Sequence, residues 1–175
     1  MNILVLGGQS ESNIEWLNDI SEALPPSSTV TVHSYEFWST EVTGQTDKQI
    51  IENELNSVLS MYSSKQFDVV IAKSLGCYFA LELAKTNNVK RLVLIGLPCV
   101  GMSKLGVDII AKVNSGSTKV TVINNESDPQ LGTVDLKKAL VQNSRLSLII
   151  NEASDTHKYP VDESFTKQLT ETLNT

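Results

Sequence analysis

The sequence predicts an α/β protein, a three-layer α-β-α sandwich whose mainly parallel six-stranded sheet lies between two layers of helices. Segments with strand character alternate with segments of helical periodicity along the whole chain, as in parallel sheets joined by helical connections. Several of the strand segments are continuous apolar runs, as expected for strands covered on both faces. The chain has 175 residues, 41% of them hydrophobic, which fits a single domain over residues 1–175.

Six segments have the composition of strands. Residues 2–6 form a continuous apolar run that ends at two glycines, which is typical of a strand buried on both faces. Residues 29–35 alternate apolar and polar side chains, which indicates a strand nearer the edge of the sheet. In chain order, the predicted strands cover residues 2–6, 29–35, 67–72, 89–97, 119–123 and 146–150.

Helical periodicity occurs between these strands and after the last of them. The first helix begins after a capping serine, Ser10 or Ser12, and ends before Pro25-Pro26. The second begins at Thr46, which forms a capping-box pattern with Gln49. The further helices are expected over residues 75–85, more weakly over 103–113, over a short segment at 134–141, and over a final apolar stripe at 161–173.

Composition disfavours several classes of partner. The formal net charge of −6 disfavours nucleic acids and anionic membranes, which are bound by basic surfaces. No apolar run approaches the roughly 20 residues of a membrane helix, and the N-terminus lacks signal-peptide features, so a cytoplasmic protein is expected. Cys77 and Cys99 have neither metal-ligand spacing nor a disulfide framework, so both are expected to be buried small side chains.

Three residues that could act together follow three different predicted strands. Ser74 follows the third strand, Asp128 the fifth and His157 the sixth. Because the carboxyl ends of parallel strands lie at one edge of the sheet, these side chains are expected to meet there. A serine hydroxyl needs a base to take its proton, histidine is the usual base, and an acid must then orient and charge-balance the imidazole.

Each of these residues also has a simpler interpretation. Ser74 could be a helix N-cap, Asp128 before a proline is a common turn signal, and His157 could be an ordinary surface histidine. The order and placement of all three favour the catalytic interpretation. Glu126 stays a rival to Asp128 as the acid, whereas Asp155 lies only two residues from the histidine, a spacing that seldom lets a carboxylate reach its ring.

The segment Ala72-Lys73-Ser74-Leu75-Gly76 resembles the G-x-S-x-G nucleophile elbow of the α/β-hydrolase superfamily, with Ala in place of the first Gly. The loops over residues 124–129 and 156–160 resemble the acid and histidine loops of that family. The chain therefore resembles a small, lidless member that lacks the two leading antiparallel strands. The resemblance implies an oxyanion hole built from backbone amides, by position those of Gln9 and Leu75.

The function that this resemblance implies is that of a serine hydrolase without cofactor or metal. Ser74, His157 and Asp128 would cleave a small ester, thioester or amide through an acyl-enzyme, with ester chemistry favoured over peptide cleavage. The alternative is a non-catalytic or weakly active binding protein of the same fold. A nucleotide-binding domain is a third, distant hypothesis, because the Gly7-Gly8 pair belongs to neither common phosphate-binding motif.

The remaining candidate residues are expected to have mainly structural roles. His33 is expected to be structural, and Lys73 to be an ordinary solvated lysine or a charge at the rim of the site. The short connection over residues 97–117 implies an open, shallow site for a small acyl group. Core or pocket-wall positions are expected for Trp16, Phe37, Trp38, Met102, Leu105 and Val107.

Overall fold

Six strands form a single parallel sheet. The computed structural model describes residues 1–39, 44–86, 88–131, 136–141, 143–151 and 156–174. The strands are β1 (Asn2–Leu6), β2 (Thr29–His33), β3 (Val69–Lys73), β4 (Arg91–Ile95), β5 (Lys119–Asn125) and β6 (Leu146–Asn151). Their order across the sheet is β2-β1-β3-β4-β5-β6, and all five neighbouring pairs are parallel. The predicted sheet and the edge position of the second strand are confirmed.

Helices connect the strands and cover the sheet. Thr46 and Gln49 form the predicted capping box at the start of the second helix. The first helix begins at Asn13, and the hydroxyl of Ser12 makes no capping hydrogen bond to it. The helices are α1 (Asn13–Ala23), α2 (Asp47–Tyr62), α3 (Leu75–Ala84), α4 (Cys99–Ser103), α5 (Ile109–Ser115), α6 (Leu136–Ala139) and α7 (Glu163–Leu173).

Two apolar clusters lie on opposite faces of the sheet. Alternate side chains of each strand point to opposite faces, so Ile3 packs on one side of β1 and Leu4 on the other. Helices α1 and α7 pack on the first face, and α2, α3 and α5 pack on the second. The central strands therefore bury both faces, which explains their continuous apolar sequences and confirms the three-layer sandwich.

Two predicted helices differ from those observed. The single helix expected over residues 103–113 is two short helices, α4 and α5, because the chain turns at Gly106, whose φ is +78°. Asp108 then caps α5 by accepting a hydrogen bond from the Ala111 amide at 2.9 Å. The helix expected over 134–141 is observed as Leu136–Ala139, and residues 132–135 lie outside the described part of the chain.

Among the described helices, none has both the length and the apolar character that a membrane span requires.

Candidate active site

Ser74 lies at the sharp turn between β3 and α3. Its φ of 51° and ψ of −120° place it in a backbone conformation that side-chain-bearing residues rarely adopt. Among the described non-glycine residues, only Tyr159 shares a positive φ. Such a conformation costs on the order of 1–3 kcal/mol and persists only when the surrounding structure holds it.

Hydrogen bonds from neighbouring strands hold this turn. The Ser74 amide donates to the Ile95 carbonyl at 2.9 Å, and the Gly76 amide donates to the Gly7 carbonyl at 3.0 Å. A Cβ on Gly76 would lie 2.6 Å from that Gly7 oxygen and 2.7 Å from the Leu6 oxygen, so the close approach of helix and strand requires glycine. Ala72, at the first position of the motif, is completely buried.

The three sequence-predicted residues meet in one line of hydrogen bonds. His157 Nε2 lies 2.9 Å from Ser74 Oγ. His157 Nδ1 lies 2.9 and 2.8 Å from the two carboxylate oxygens of Asp128. With a proton on Nδ1, the imidazole donates a hydrogen bond to Asp128 and accepts one from the Ser74 hydroxyl at Nε2. The side chain of Asp128 is fully buried, whereas that of His157 is 22% exposed at the surface of the site.

Asp128 accepts hydrogen bonds from three sides. Besides His157, the Tyr159 hydroxyl donates to Oδ2 at 2.5 Å, and the Gln130 amide donates to Oδ1 at 2.8 Å. Burial raises the pKa of the Asp128 carboxyl, but the hydrogen bonds from His157, Tyr159 and Gln130 outweigh it, so this pKa lies below the usual 3.8. Asp128 is therefore ionised at neutral pH and able to stabilise a protonated His157.

Tyr159 holds the acid of this arrangement in place, and no local sequence pattern predicts that role. Its hydroxyl accepts a hydrogen bond from the Asn125 amide at 2.9 Å, and its carbonyl accepts from Trp16 Nε1 at 2.9 Å. Burial and the nearby carboxylate raise the pKa of the Tyr159 phenol, so it stays protonated and donates to Asp128. Gly96 makes room for the ring, because a Cβ there would overlap Tyr159 and lie 3.0 Å from His157 Cε1.

Glu126 and Asp155 are the two other carboxylates considered as the acid beside His157. Glu126 is exposed, and its amide donates to the Asn151 carbonyl at 3.0 Å at the end of β5. The two carboxylate oxygens that contact His157 Nδ1 both belong to Asp128. Asp155 lies outside the described residues. The geometry therefore favours Asp128 over Glu126.

One of the two predicted oxyanion-hole residues, Leu75, belongs to the elbow, and the other, Gln9, lines the same cleft as Ser74. Leu75 is the first residue of α3, where backbone amides point out of the helix start. Gln9 belongs to the loop after β1, which contacts the elbow through Gly7, and its carbonyl accepts from Trp38 Nε1 at 2.9 Å. Both residues are adjacent to the site, and their role in binding an oxyanion stays a prediction.

An open cleft of about 790 Å³ leads from Ser74 and His157 toward α1. Trp16 is buried and lines it, as do residues of the loop before α7. Lys73 lines it too and is only 8% exposed, so the expectation of an ordinary solvated lysine is wrong. Met102, predicted to be either pocket wall or core, is buried in the core on the face of the sheet opposite Trp16.

Solved structures provide the comparison for this geometry. The monoacylglycerol lipase of Paleococcus ferrophilus superposes with a TM-score of 0.70 at 12% identity, covering 98% of this chain and 93% of that one. The α/β hydrolase MGS-MChE2, from a Moroccan lagoon-sediment metagenome, gives 0.69 at 15% identity, covering 99% and 90%. An esterase domain of a Rhodothermus marinus protein gives 0.62 at 16% identity, covering 98% and 84%. No protein-family model and no curated protein matches the sequence.

The chain has the α/β-hydrolase fold. Each neighbouring pair of strands in the described sheet is parallel, and the elbow lies after β3 near the centre of the sheet. In this α/β-hydrolase fold, Ala72 stands in place of the first glycine of the motif, and its small side chain is buried in the apolar cluster on the α3 face of the sheet.

The other candidate residues lie away from the elbow or are unreactive. Cys77 and Cys99 are free thiols; Cys77 is buried as predicted, whereas Cys99 is only partly buried. Burial raises the pKa of Cys77 well above its usual range and that of Cys99 to about 11. Both are therefore protonated at neutral pH and poor nucleophiles. His33 is buried in β2, within hydrogen-bond distance of Glu54 (2.9 Å) and Tyr62 (3.1 Å) of α2, as expected for a structural residue.

In the described part of the chain, no group of three or more His, Cys, Asp or Glu side chains is arranged to hold a metal ion.

Proposed function

We propose that this protein is a serine hydrolase that cleaves a small ester, thioester or amide through a covalent acyl-enzyme. The single observation that carries this proposal is the continuous line of hydrogen bonds from Ser74 Oγ through His157 to Asp128. The alternative, a non-catalytic binding protein, would be favoured by a His157 ring turned away from Ser74. The 2.9 Å separation of Nε2 and Oγ supports catalysis instead.

Acylation begins with attack of Ser74 Oγ on the substrate carbonyl carbon. The hydroxyl proton moves to His157 Nε2, and the buried carboxylate of Asp128 stabilises the imidazolium that results. The carbonyl oxygen becomes an oxyanion, for which the backbone amides of Leu75 and Gln9 are the proposed donors. The start of α3 adds a favourable dipole at the same place.

Collapse of this intermediate breaks the bond to the leaving group, which takes the proton from His157 Nε2. A water molecule then attacks the acyl-enzyme carbonyl and gives a proton to the same nitrogen. Breakdown of the second intermediate returns that proton to Ser74 Oγ and releases the carboxylic acid. The net reaction is hydrolysis, with the protein restored to its starting state.

The shape of the site supports a small acyl substrate. The cleft opens to solvent between α1 and the loop before α7, and the connection between β4 and β5 contributes only two short helices. Similar solved structures include proteins named as an esterase domain and a monoacylglycerol lipase, which supports hydrolysis of carboxylic esters in general. Peptide cleavage is the less favoured chemistry.

Hydrolysis of 4-nitrophenyl esters, with acyl chains from acetyl upward, tests the proposal. We expect turnover that is fastest for the short chains and a burst of 4-nitrophenol equal to the enzyme concentration when deacylation limits the rate. Thioester and anilide analogues complete the panel. Folded protein that hydrolyses none of these substrates would contradict the proposed function.

Tyr159→Phe should weaken both the site and the fold. A hydrogen bond to a charged group contributes about 1.5–3 kcal/mol. We therefore expect kcat/KM to fall about tenfold and the free energy of unfolding to fall by about 1.5–3 kcal/mol. Because the pKa of Asp128 is lowered in the native state, this stabilisation is present above its unfolded pKa and disappears as the pH falls through its folded pKa. The stability difference between the wild type and the variant should therefore be full at pH 7 and shrink below about pH 4.

Urea unfolding at several pH values and ester kinetics measure the two effects. Tyr78→Phe is the matched control, because Tyr78 is a half-buried tyrosine of α3 whose ring packs near Phe79. An equal loss of kcat/KM in both variants would contradict the role assigned to Tyr159.

A further inference from the structure

Lys73 is a buried cation directly beside the nucleophile. It is the last residue of β3, and its side chain leaves the same face of the strand as those of Val69 and Ile71. That face is covered by α1, so the side chain lies beneath Trp16 and lines the cleft that leads from Ser74. Only 8% of the residue is exposed.

The partners of its ammonium group are neutral. Nζ donates to Asn13 Oδ1 at 3.0 Å and lies 5.2 Å from the centre of the Trp16 ring. Asn13 Nδ2 donates to the Ser10 carbonyl at 2.7 Å, which fixes the amide so that its oxygen faces the lysine. Within the described part of the chain, no carboxylate oxygen lies within 4.0 Å of Nζ.

A buried ammonium without a counter-charge is unfavourable for the isolated protein. Burial lowers the pKa of Lys73 to about 8, so the group is still mainly protonated at pH 7. A carboxylate brought into the cleft would supply the missing counter-charge and accept a charge-assisted hydrogen bond from Nζ.

Other charges around the cleft are differently placed. Lys158 lines it but is exposed. Glu15 and Asp19 of α1 also line it and are exposed. Asp162 lines it too, and its carboxylate accepts a hydrogen bond from the Phe165 amide as the cap of α7. Of the charged side chains that line the cleft, Lys73 is therefore the buried cation, and it directly precedes Ser74 in the chain.

We propose that Lys73, held by Asn13, is a specificity residue that binds an anionic carboxylate on the substrate, so that the protein prefers acidic esters or amides to neutral ones. This inference rests on the proposed hydrolase function and adds the substrate class. The carboxylate could belong to the acyl part or to the leaving group, and the two sources are separated by experiment.

Two pairs of substrates provide the test. For the acyl part, 4-nitrophenyl hydrogen glutarate is compared with its neutral methyl ester, after subtraction of spontaneous hydrolysis. For the leaving group, 3-acetoxybenzoate is compared with methyl 3-acetoxybenzoate. We expect the wild type to prefer the anion in at least one pair. In Lys73→Met, the ratio of kcat/KM for that anion over its neutral partner should fall about 10- to 100-fold, and the ratio cancels any change that is common to both substrates.

Further variants distinguish a direct contact from a general effect of charge. Lys73→Arg should keep most of the preference, and Lys158→Gln should change the ratio by less than about threefold. The absence of preference in both wild-type pairs, an unchanged ratio in Lys73→Met, or an equal fall in Lys158→Gln would overturn the inference. Lys73→Gln replaces Lys73→Met if the latter fails to fold.

A failure of the proposed hydrolase function can be distinguished from a failure of the anion site at Lys73. If folded wild-type protein hydrolyses none of the four esters, the function fails, and the lysine is tested by calorimetric titration with monomethyl glutarate. Binding that Lys73→Met weakens at least tenfold would support the anion site alone. The absence of binding, or equal binding by both proteins, would overturn it.

Discussion

Ser74→Ala should lower kcat/KM for short neutral esters by a factor on the order of 10⁴ or more, with the protein still folded. In the proposed mechanism, the hydroxyl oxygen of Ser74 is the protein atom that forms a bond to the substrate carbon. Loss of such a nucleophile leaves only the catalysis that comes from binding and the oxyanion hole. The measurement is initial-rate kinetics on the best 4-nitrophenyl ester, with circular dichroism to confirm the fold.

A matched serine variant gives the control for this result. Ser115 is exposed at the end of α5, just before β5 begins, whereas the elbow follows the carboxyl end of β3. Ser115→Ala should keep wild-type kcat/KM. Residual Ser74→Ala activity within tenfold of the wild type would show that another group performs the chemistry.

Gly76→Ala should destabilise the protein by about 3 kcal/mol and also impair activity. The new Cβ would meet the Gly7 and Leu6 oxygens at 2.6 and 2.7 Å, and both belong to the backbone of β1 and its loop, which have little room to move. Displacement of α3 also moves Ser74 relative to His157. A shift of about 1 Å at a nucleophile can cost about 100-fold in rate.

Gly116→Ala is the control for the effect of the methyl group itself. An added Cβ there would have its nearest neighbour at 3.6 Å, an ordinary contact, and the φ of −67° suits alanine. This variant should be as stable as the wild type or slightly more stable, because alanine restricts the unfolded chain. Urea midpoints and ester kinetics of both variants are compared. If Gly76→Ala matched Gly116→Ala in both measurements, the tight packing of the elbow would not be required.

Much of the fold could be predicted because its signals are local. Continuous apolar runs reveal strands covered on both faces, and the capping box at Thr46 marks the start of α2. The separation of α4 from α5 was missed although Gly106 and Asp108 are ordinary turn and cap residues. A weak apolar periodicity across both helices concealed the break between them.

The site was only partly predictable for a physical reason. Ser74, Asp128 and His157 each follow a strand, and strand order brings their ends together, so local patterns were sufficient. Tyr159 contacts Asn125, Asp128 and Trp16 through three-dimensional proximity, and no sequence period encodes such contacts. The burial of Lys73 could be predicted, because alternation along β3 places its side chain on the same buried face of the strand as Val69 and Ile71.

The most direct test of the proposed chemistry is reaction with a fluorophosphonate probe, followed by mapping of the adduct by mass spectrometry. The serine oxygen should displace fluoride from phosphorus and form one stable adduct, on Ser74. Ser74→Ala should take up no probe, and His157→Ala should react far more slowly, because the hydroxyl then lacks its base. Labelling at another residue, or no labelling of the folded wild type, would contradict the assignment of Ser74 as the nucleophile.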